Sequence, residues 1–313
     1  MPAQPFWFTS SHAHRLHVHR WLPTAPPRAL VLLVHGMAEH GGRYERLGQA
    51  LSEAGMGVVA PDLRGHGLTA RADRLGLLAE GEGWRTMIDE LARLAQHLGE
   101  QFPGTPLVLF GHSMGSYLAQ GYLLHHSANV RGAVLSGSTC RRPGVYRAAR
   151  LIARLESWRQ GPQGRSALID WLSFGTFNNA FAPTRTAFDW LSRDPREVDT
   201  YVADPLCGFR CCSQLWLDLL LGLVQISQPG QLARIDANLP MLVIGGECDP
   251  VSAGGRLTHL AQALRATGHG RVHLRVYPDA RHELLNELNR DEVIRDIIAW
   301  LERTLALGRP TDE

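Results

Sequence analysis

The stretch LVLFGHSMGSYLAQGYL, residues 107–123, joins an apolar run to a segment with helical periodicity. At the junction, Ser113 lies between Gly111 and Gly115 in the pattern Gly-x-Ser-x-Gly. A sharp turn from a buried strand into a helix strains the backbone, and only small neighbours avoid a clash there. Such a turn exposes the serine hydroxyl beside the positive end of the helix. The alternative is a serine in an ordinary tight turn.

Apolar runs typical of buried parallel strands recur along the chain. They occupy residues 28–36, 57–62, 106–111, 130–137, 240–249 and 272–280. Segments with helical periodicity lie between them, and an alternating segment at residues 6–23 predicts an N-terminal β-hairpin. This alternation predicts an α/β fold, with a mostly parallel, doubly wound sheet and right-handed crossovers.

The alternation stops between residues 139 and 237, where helix-like segments, prolines and short loops replace the buried-strand runs. We expect residues 139–237 to form a helical lid, inserted between two strands of a core made of residues 1–138 and 238–313. Ligands in such sheets bind outside the carboxyl ends of the strands, so the lid is expected there.

Two lid segments have distinctive patterns. In residues 145–160, one helical side carries Arg147, Arg150 and Arg154, and another carries Leu151, Ile152, Leu155 and Trp158. Such a basic amphipathic helix either lies on an anionic lipid surface or packs its apolar side on the core. The apolar segment 214–226 is expected to line an acyl-chain tunnel, to face lipid, or to pack on the core.

Composition limits the classes of protein and site. The chain has 313 residues, 44% of them hydrophobic, and a net charge of +2, which is typical of a soluble globular protein and demands no nucleic-acid partner. It contains no lysine, which excludes a Walker-type phosphate loop and a pyridoxal phosphate Schiff base. Five cysteines indicate no disulfide framework, and residues 1–15 resemble no signal peptide, so we expect a cytoplasmic protein.

A serine nucleophile needs a base and an acid that orients the base. His282 follows the last predicted strand and precedes a helix, where a loop can bring its imidazole over Ser113. Asp249 ends another strand run, and Pro250 prevents the strand from continuing. The alternative for Asp249 is a turn or capping role. The chain order serine, acid, histidine is that of α/β-hydrolases.

Negative charge on a reacting carbonyl oxygen requires backbone N–H donors. We expect these donors to be Met114, directly after the nucleophile, and Met37, in the loop after residues 28–36. A serine nucleophile that is assisted by a histidine and an aspartate needs neither a metal nor an organic cofactor. His35 is expected to support the loop by hydrogen bonding.

The chain has 15 histidines, so a catalytic base can be recognised only by its position in the predicted fold. His12, His14, His17 and His19 alternate on the predicted hairpin and are expected to form a solvent-exposed face, with a metal site as the alternative. His125 and His126 end a predicted helix.

Several motifs together resemble one family. Residues 35–47, HGMAEHGGRYERL, resemble the HG-x-x-EH-x-GRY segment of the monoacylglycerol lipase and lysophospholipase group of α/β-hydrolases, the serine aminopeptidase-like hydrolases. The segments PDLRGHGLT, GHSMGS, CDPV and HELLNE also match that family in order. The resemblance covers residues 5–139 and 238–306. It implies a serine esterase with a lid, acting on monoacylglycerols, lysophospholipids or related acyl esters, with Arg43 near the alcohol side of the pocket.

Three alternatives remain open. An aminopeptidase or amidase would use the same triad, and a peptidase lid would offer the substrate amine a carboxylate, for which Glu156, Asp170 and Asp189 are candidates. A haloalkane dehalogenase or epoxide hydrolase is disfavoured, because these enzymes have aspartate at the nucleophile position. The third alternative is a ligand-binding receptor or an inactive hydrolase.

Overall fold

The computed structural model describes residues 3–10, 14–78, 83–252 and 255–306. In these ranges the chain forms an eight-stranded sheet in the order β1-β2-β4-β3-β5-β6-β7-β8. The strands are β1 Phe6–Thr9, β2 Arg15–Trp21, β3 Leu30–Val34, β4 Gly57–Pro61, β5 Leu107–His112, β6 Gly132–Ser136, β7 Met241–Gly246 and β8 Val272–Tyr277. β2 is antiparallel to β1 and β4, and all other neighbours are parallel. The predicted mostly parallel sheet is confirmed.

Helices cover both faces of the sheet, so successive strand residues enter different cores. The helices are α1 Glu45–Glu53, α2 Gly83–Gln101, α3 Met114–His126, α4 Pro143–Gln160, α5 Ala167–Phe174, α6 Pro195–Ala203, α7 Ser213–Ile226, α8 Arg256–Ala266 and α9 Arg290–Ala306. Leu30 and Leu32 pack into the core with α2, α3 and α8, whereas Val31 and Leu33 pack into the core with α1 and α9.

The segment between β6 and β7 is helical throughout its regular structure, with α4 to α7 and no strand in residues that the structure describes. Helix α7 packs against α2, α3 and α4, and Leu215, Leu219, Leu220 and Leu223 belong to the core that also contains α2 and α3. Of the interpretations of residues 214–226, core packing is therefore the one observed. No described helix is long and apolar enough to cross a bilayer.

The apolar side of α4 behaves differently from that of α7. Its large side chains are between 37% and 87% exposed, namely Leu151, Ile152, Leu155 and Trp158. The interpretation in which α4 packs this side on the core is therefore wrong.

The expectation of a solvent-exposed histidine face is also wrong. His17 is buried, with Nδ1 3.2 Å from Asp62 Oδ2, and His19 Nε2 lies 3.2 Å from Asp62 Oδ1. The reason is that β2 lies between β1 and β4, and Asp62 directly follows β4. The Asp62 oxygens also accept backbone N–H groups of Gly41 and Leu68, so this carboxylate is satisfied without an ion. His12 lies outside the described residues.

Candidate active site

Ser113 occupies the turn between β5 and α3, as the sequence predicts. Its φ of 50° and ψ of −120° are strained for a residue with a side chain. Glycine is required on both sides: a Cβ would come within 2.4 Å of the Gly115 carbonyl at Gly111, and within 2.0 Å of the Val34 carbonyl at Gly115. The close packing of this turn therefore explains the spacing of the motif.

His282 and Asp249 form a buried pair at the carboxyl edge of the sheet. Asp249 Oδ1 lies 2.9 Å from His282 Nδ1 and also accepts the Val251 N–H, while Oδ2 accepts the Ser252 hydroxyl. These bonds fix the carboxylate and orient the imidazole. With Nδ1 engaged, Nε2 is the nitrogen that remains for proton transfer.

A cavity of about 340 Å³ brings Ser113 and His282 together. Its other walls are largely apolar and aromatic, and include Met37, Phe174, Phe188, Trp190, Leu191 and Phe209. The Ser113 hydroxyl has no hydrogen-bond partner among the described residues. Nucleophile–base hydrogen bonds are often long before substrate binds, so this arrangement is compatible with serine chemistry.

The two expected oxyanion donors differ in position. Met37 lines the cavity, whereas Met114 begins α3 directly after Ser113 and has a buried side chain. Within the described residues, neither backbone N–H has a hydrogen-bond acceptor. Both groups are therefore available to an oxyanion.

The helical segment between β6 and β7 also contacts the loop that carries Met37, and sequence reasoning did not detect this contact. The Ala38 carbonyl accepts hydrogen bonds from the Tyr201 hydroxyl and the Gly208 N–H, both 2.9 Å long. Ala38 itself has a φ of 55°. These bonds hold a strained loop next to the cavity, and no local sequence pattern links residue 201 to residue 38.

Replacing Tyr201 with phenylalanine is expected to lower kcat about tenfold, the equivalent of one hydrogen bond, with little change in KM. The loss acts on the geometry of the loop, so the pH profile should stay in place. Phenylalanine keeps the aromatic ring that packs on Arg43 and Phe188. Steady-state kinetics with an unchanged kcat would contradict this role for Tyr201.

Arg43, whose side chain is 10% exposed, lies between two carboxylates and is not among the residues that line the cavity. Its guanidinium forms a bidentate pair with Glu283 and a 2.8 Å bond to Glu39. Glu39 also accepts the Gly36 N–H and the Tyr44 hydroxyl. Arg43 thereby connects the Met37 loop to the His282 loop. Glu39 and Glu283, which line the cavity, were missed although they stand inside the quoted family segments.

Charges around His282 set its protonation. Burial disfavours the imidazolium, but the charge and hydrogen bond of Asp249, with the charges of Glu283 and Glu39, outweigh it and raise the pKa of His282. The neighbouring His112 ring lies 4.7 Å away. Burial and the charge of His282 lower the pKa of His112 to about 4, so His112 stays neutral.

The expected role of His282 as a base requires a neutral imidazole, so we expect the acidic limb of the kcat/KM profile above pH 6.5, the usual pKa of histidine. Glu283→Gln removes a negative charge that raises the pKa of His282, so the limb should move to lower pH. The exposed Glu302→Gln is the control. If the acidic limb of Glu283→Gln lies at the same pH as in wild type, or at a higher pH, His282 is not the group that titrates in this limb.

The three candidate carboxylates between β6 and β7, Glu156, Asp170 and Asp189, occupy different environments. Asp170 lines the cavity, and its carboxylate lies 3.4 Å from the guanidinium of Arg210, which lines it too. Glu156 is bound by Arg159, Gln160 and Ser166. Asp189 accepts hydrogen bonds from Arg185 and Thr186. Only Asp170, of the three, can meet a molecule in this cavity.

A strand–serine–helix turn, with a histidine–aspartate pair at the same sheet edge, defines an α/β-hydrolase. Residues 25–289 match the family described as serine aminopeptidase, S33, and the chain belongs to this family. This match confirms the family resemblance read from the motifs.

Known relatives cover nearly the whole chain. A monoacylglycerol lipase of Mycolicibacterium smegmatis is 31% identical over 287 residues, 90% of each chain. A monoglyceride lipase of Homo sapiens is 27% identical over 92% of this chain and 87% of its own. A carboxyl esterase of Bacillus coagulans, solved in complex with glycerol, superposes with a TM-score of 0.86 at 29% identity, over 97% of this chain and 99% of that one. The chain is therefore a monoacylglycerol lipase-like serine hydrolase.

Proposed function

We propose that the protein hydrolyses carboxylic esters of the monoacylglycerol and lysophospholipid type, or related acyl esters, with Ser113, His282 and Asp249 as its catalytic triad. The observation that carries the proposal is the cavity onto which both the strained serine and the Asp249-bound imidazole open. The relatives named as monoacylglycerol lipases support the choice of substrate class.

In the first half of the reaction, the Ser113 oxygen attacks the ester carbonyl carbon while His282 Nε2 takes the hydroxyl proton. The N–H groups of Met37 and Met114 stabilise the oxyanion. As the tetrahedral intermediate collapses, the C–O bond to the alcohol breaks, and His282 returns its proton to the alcohol oxygen. Asp249 stabilises the transient imidazolium.

In the second half, His282 takes a proton from water, whose oxygen attacks the acyl-enzyme. The second tetrahedral intermediate releases Ser113, which regains a proton from His282, and the carboxylic acid leaves. Both halves use the same donors, so the protein needs one oxyanion site.

The cavity walls suggest how an amphiphilic ester would bind. We assign the aromatic walls to the acyl chain, because apolar burial is its main source of affinity. Glu39 and Glu283 supply acceptors for the hydroxyls of the alcohol. Arg43 contributes to that side by positioning these two carboxylates rather than by direct contact.

The surroundings of Asp170 support an ester substrate rather than a peptide with a free amine. Its charge is compensated by Arg210, so an ammonium group would have to compete with a guanidinium already in place.

Turnover of monoacylglycerols and p-nitrophenyl esters of increasing chain length tests the proposed esterase function directly. Amino-acid p-nitroanilides as the better substrates would favour the aminopeptidase alternative. No turnover of either kind would favour a receptor or an inactive hydrolase.

We further propose that residues 139–237 act as the lid of a core formed by residues 1–138 and 238–313, and that the lid contacts an anionic membrane. Besides the exposed apolar side of α4, helix α5 exposes Leu168, Trp171 and Leu172 by 45–59%. A large exposed apolar surface beside arginines is typical of a peripheral membrane contact.

Trp158→Ala is expected to weaken flotation with vesicles, because Trp158 is 87% exposed and indole rings favour the membrane interface. Turnover of a short soluble ester should stay unchanged. Trp7→Ala, at an exposed site on β1, is the matched control. Wild-type protein that stays soluble beside anionic vesicles would refute the contact.

A further inference from the structure

A groove of about 370 Å³ on the lid is separate from the cavity at Ser113. It lies between α4 and α7 and is lined by Arg147, Arg150, Leu151, Arg154, Leu221 and Val224. It therefore combines three cationic side chains with an aliphatic wall.

The three arginines have no carboxylate within ion-pairing distance in the part of the chain that the structure describes. None of them forms an ion pair with any residue that the structure describes, and the backbone spacing of three and four residues places like charges side by side on α4. The Nε of Arg150 is buried and has no hydrogen-bond partner among the described residues, which costs free energy unless a ligand supplies an acceptor. Asp218 interacts electrostatically with Arg150, but its buried carboxylate is bound by Gln214 and does not line the groove.

The chemistry of the groove selects an anion attached to an aliphatic group. Guanidinium groups bind phosphate oxygens through paired N–H donors, and a phosphate offers more oxygens and charge than a single carboxylate. The apolar wall is accessible: Leu151 is 59% and Leu221 42% exposed. Leu151 also belongs to the exposed apolar side of α4, so the groove opens at the edge of the surface that we assign to the membrane.

We propose that this groove binds the phosphate group of an anionic phospholipid, with Arg147, Arg150 and Arg154 around the phosphate and Leu151 and Leu221 against the lipid's aliphatic part. The inference rests on the proposed membrane contact of the lid for the source of the lipid. It adds a specific ligand site to that contact and is independent of the reaction at Ser113.

Calorimetry with soluble short-chain phosphatidic acid, measured on the full chain, tests the site without a membrane. Arg147→Gln/Arg154→Gln should weaken binding at least about tenfold, the loss of 1.4 kcal/mol or more. Arg141→Gln/Arg142→Gln removes the same charge from exposed positions just before α4 and should bind like wild type. Equal losses in both double variants, or no loss in the first, would overturn the proposal.

Two further experiments distinguish a lipid phosphate from free phosphate as the ligand and test the role of the membrane. Inorganic phosphate should displace the lipid only weakly; displacement at matching concentrations would overturn the assignment to a lipid. With vesicles, the groove variant should lose its preference for phosphatidic acid over phosphatidylcholine, whereas Trp158→Ala should lose binding to both. Retained soluble-lipid binding with no vesicle binding would support the groove and refute the membrane contact. Circular dichroism and soluble-ester turnover check that each variant folds.

Discussion

Ser113→Ala is expected to reduce ester turnover by a factor on the order of 10⁶, since no other group would form the acyl-enzyme. Ser113 adopts strained backbone angles at the turn between β5 and α3, and alanine accommodates the same turn as well as serine does. The variant should therefore fold with unchanged circular dichroism. Release of p-nitrophenol from a short acyl ester provides the measurement.

A fluorophosphonate probe makes the same test at the level of the covalent bond. Wild-type protein should be labelled at Ser113, and Ser113→Ala should not be labelled. Ser157→Ala, on helix α4, is the matched control and should behave like wild type. Full turnover or full labelling in Ser113→Ala would refute the mechanism.

Asp249→Asn is expected to lower kcat by about 10⁴, because the amide stabilises the wrong tautomer of His282. It also removes the negative charge that raises the pKa of His282, so the remaining activity should titrate at lower pH. Both effects appear in the pH dependence of kcat/KM.

A structural role for Asp249 predicts a different result. Its carboxylate also anchors Val251 and Ser252, so a fold defect would reduce the melting temperature and the fluorophosphonate labelling together, without moving the pH profile. The exposed Asp73→Asn serves as the control. An active Asp249→Asn with an unshifted profile would contradict the proposed triad.

Local sequence patterns were sufficient to predict the sheet and the helices between its strands. The apolar runs became the parallel strands, because each run is long enough to cross the sheet and β3 to β7 are apolar on both faces. Strand β8, at the edge of the sheet, also carries exposed polar residues. The motif at Ser113 was equally readable, because glycine spacing reflects contacts within a few residues and with the adjacent strand.

Local sequence patterns did not predict whether a side chain is buried where its burial depends on a residue far away in the chain. The alternation at His17 and His19 predicts one exposed face, but the side chains meet Asp62, which follows a different strand. Helices α4 and α7 both carry long apolar sides, yet most of the large apolar side chains of α7 are buried in the core, whereas Leu151, Ile152, Leu155 and Trp158 of α4 are exposed. Periodicity identifies an apolar side without identifying what covers it.

The sequence alone determined the doubly wound sheet, the turn at Ser113 and the chain order of serine, aspartate and histidine, because these features depend on short-range packing and strand order. Only the tertiary structure decided that Arg43 joins Glu39 to Glu283, that Tyr201 holds the Ala38 carbonyl, and that the α4 arginines line a groove. Arg43 lies far from Glu283 in the chain, and Tyr201 far from Ala38, while the groove depends on how α4 packs against α7. No local sequence pattern records such distant contacts.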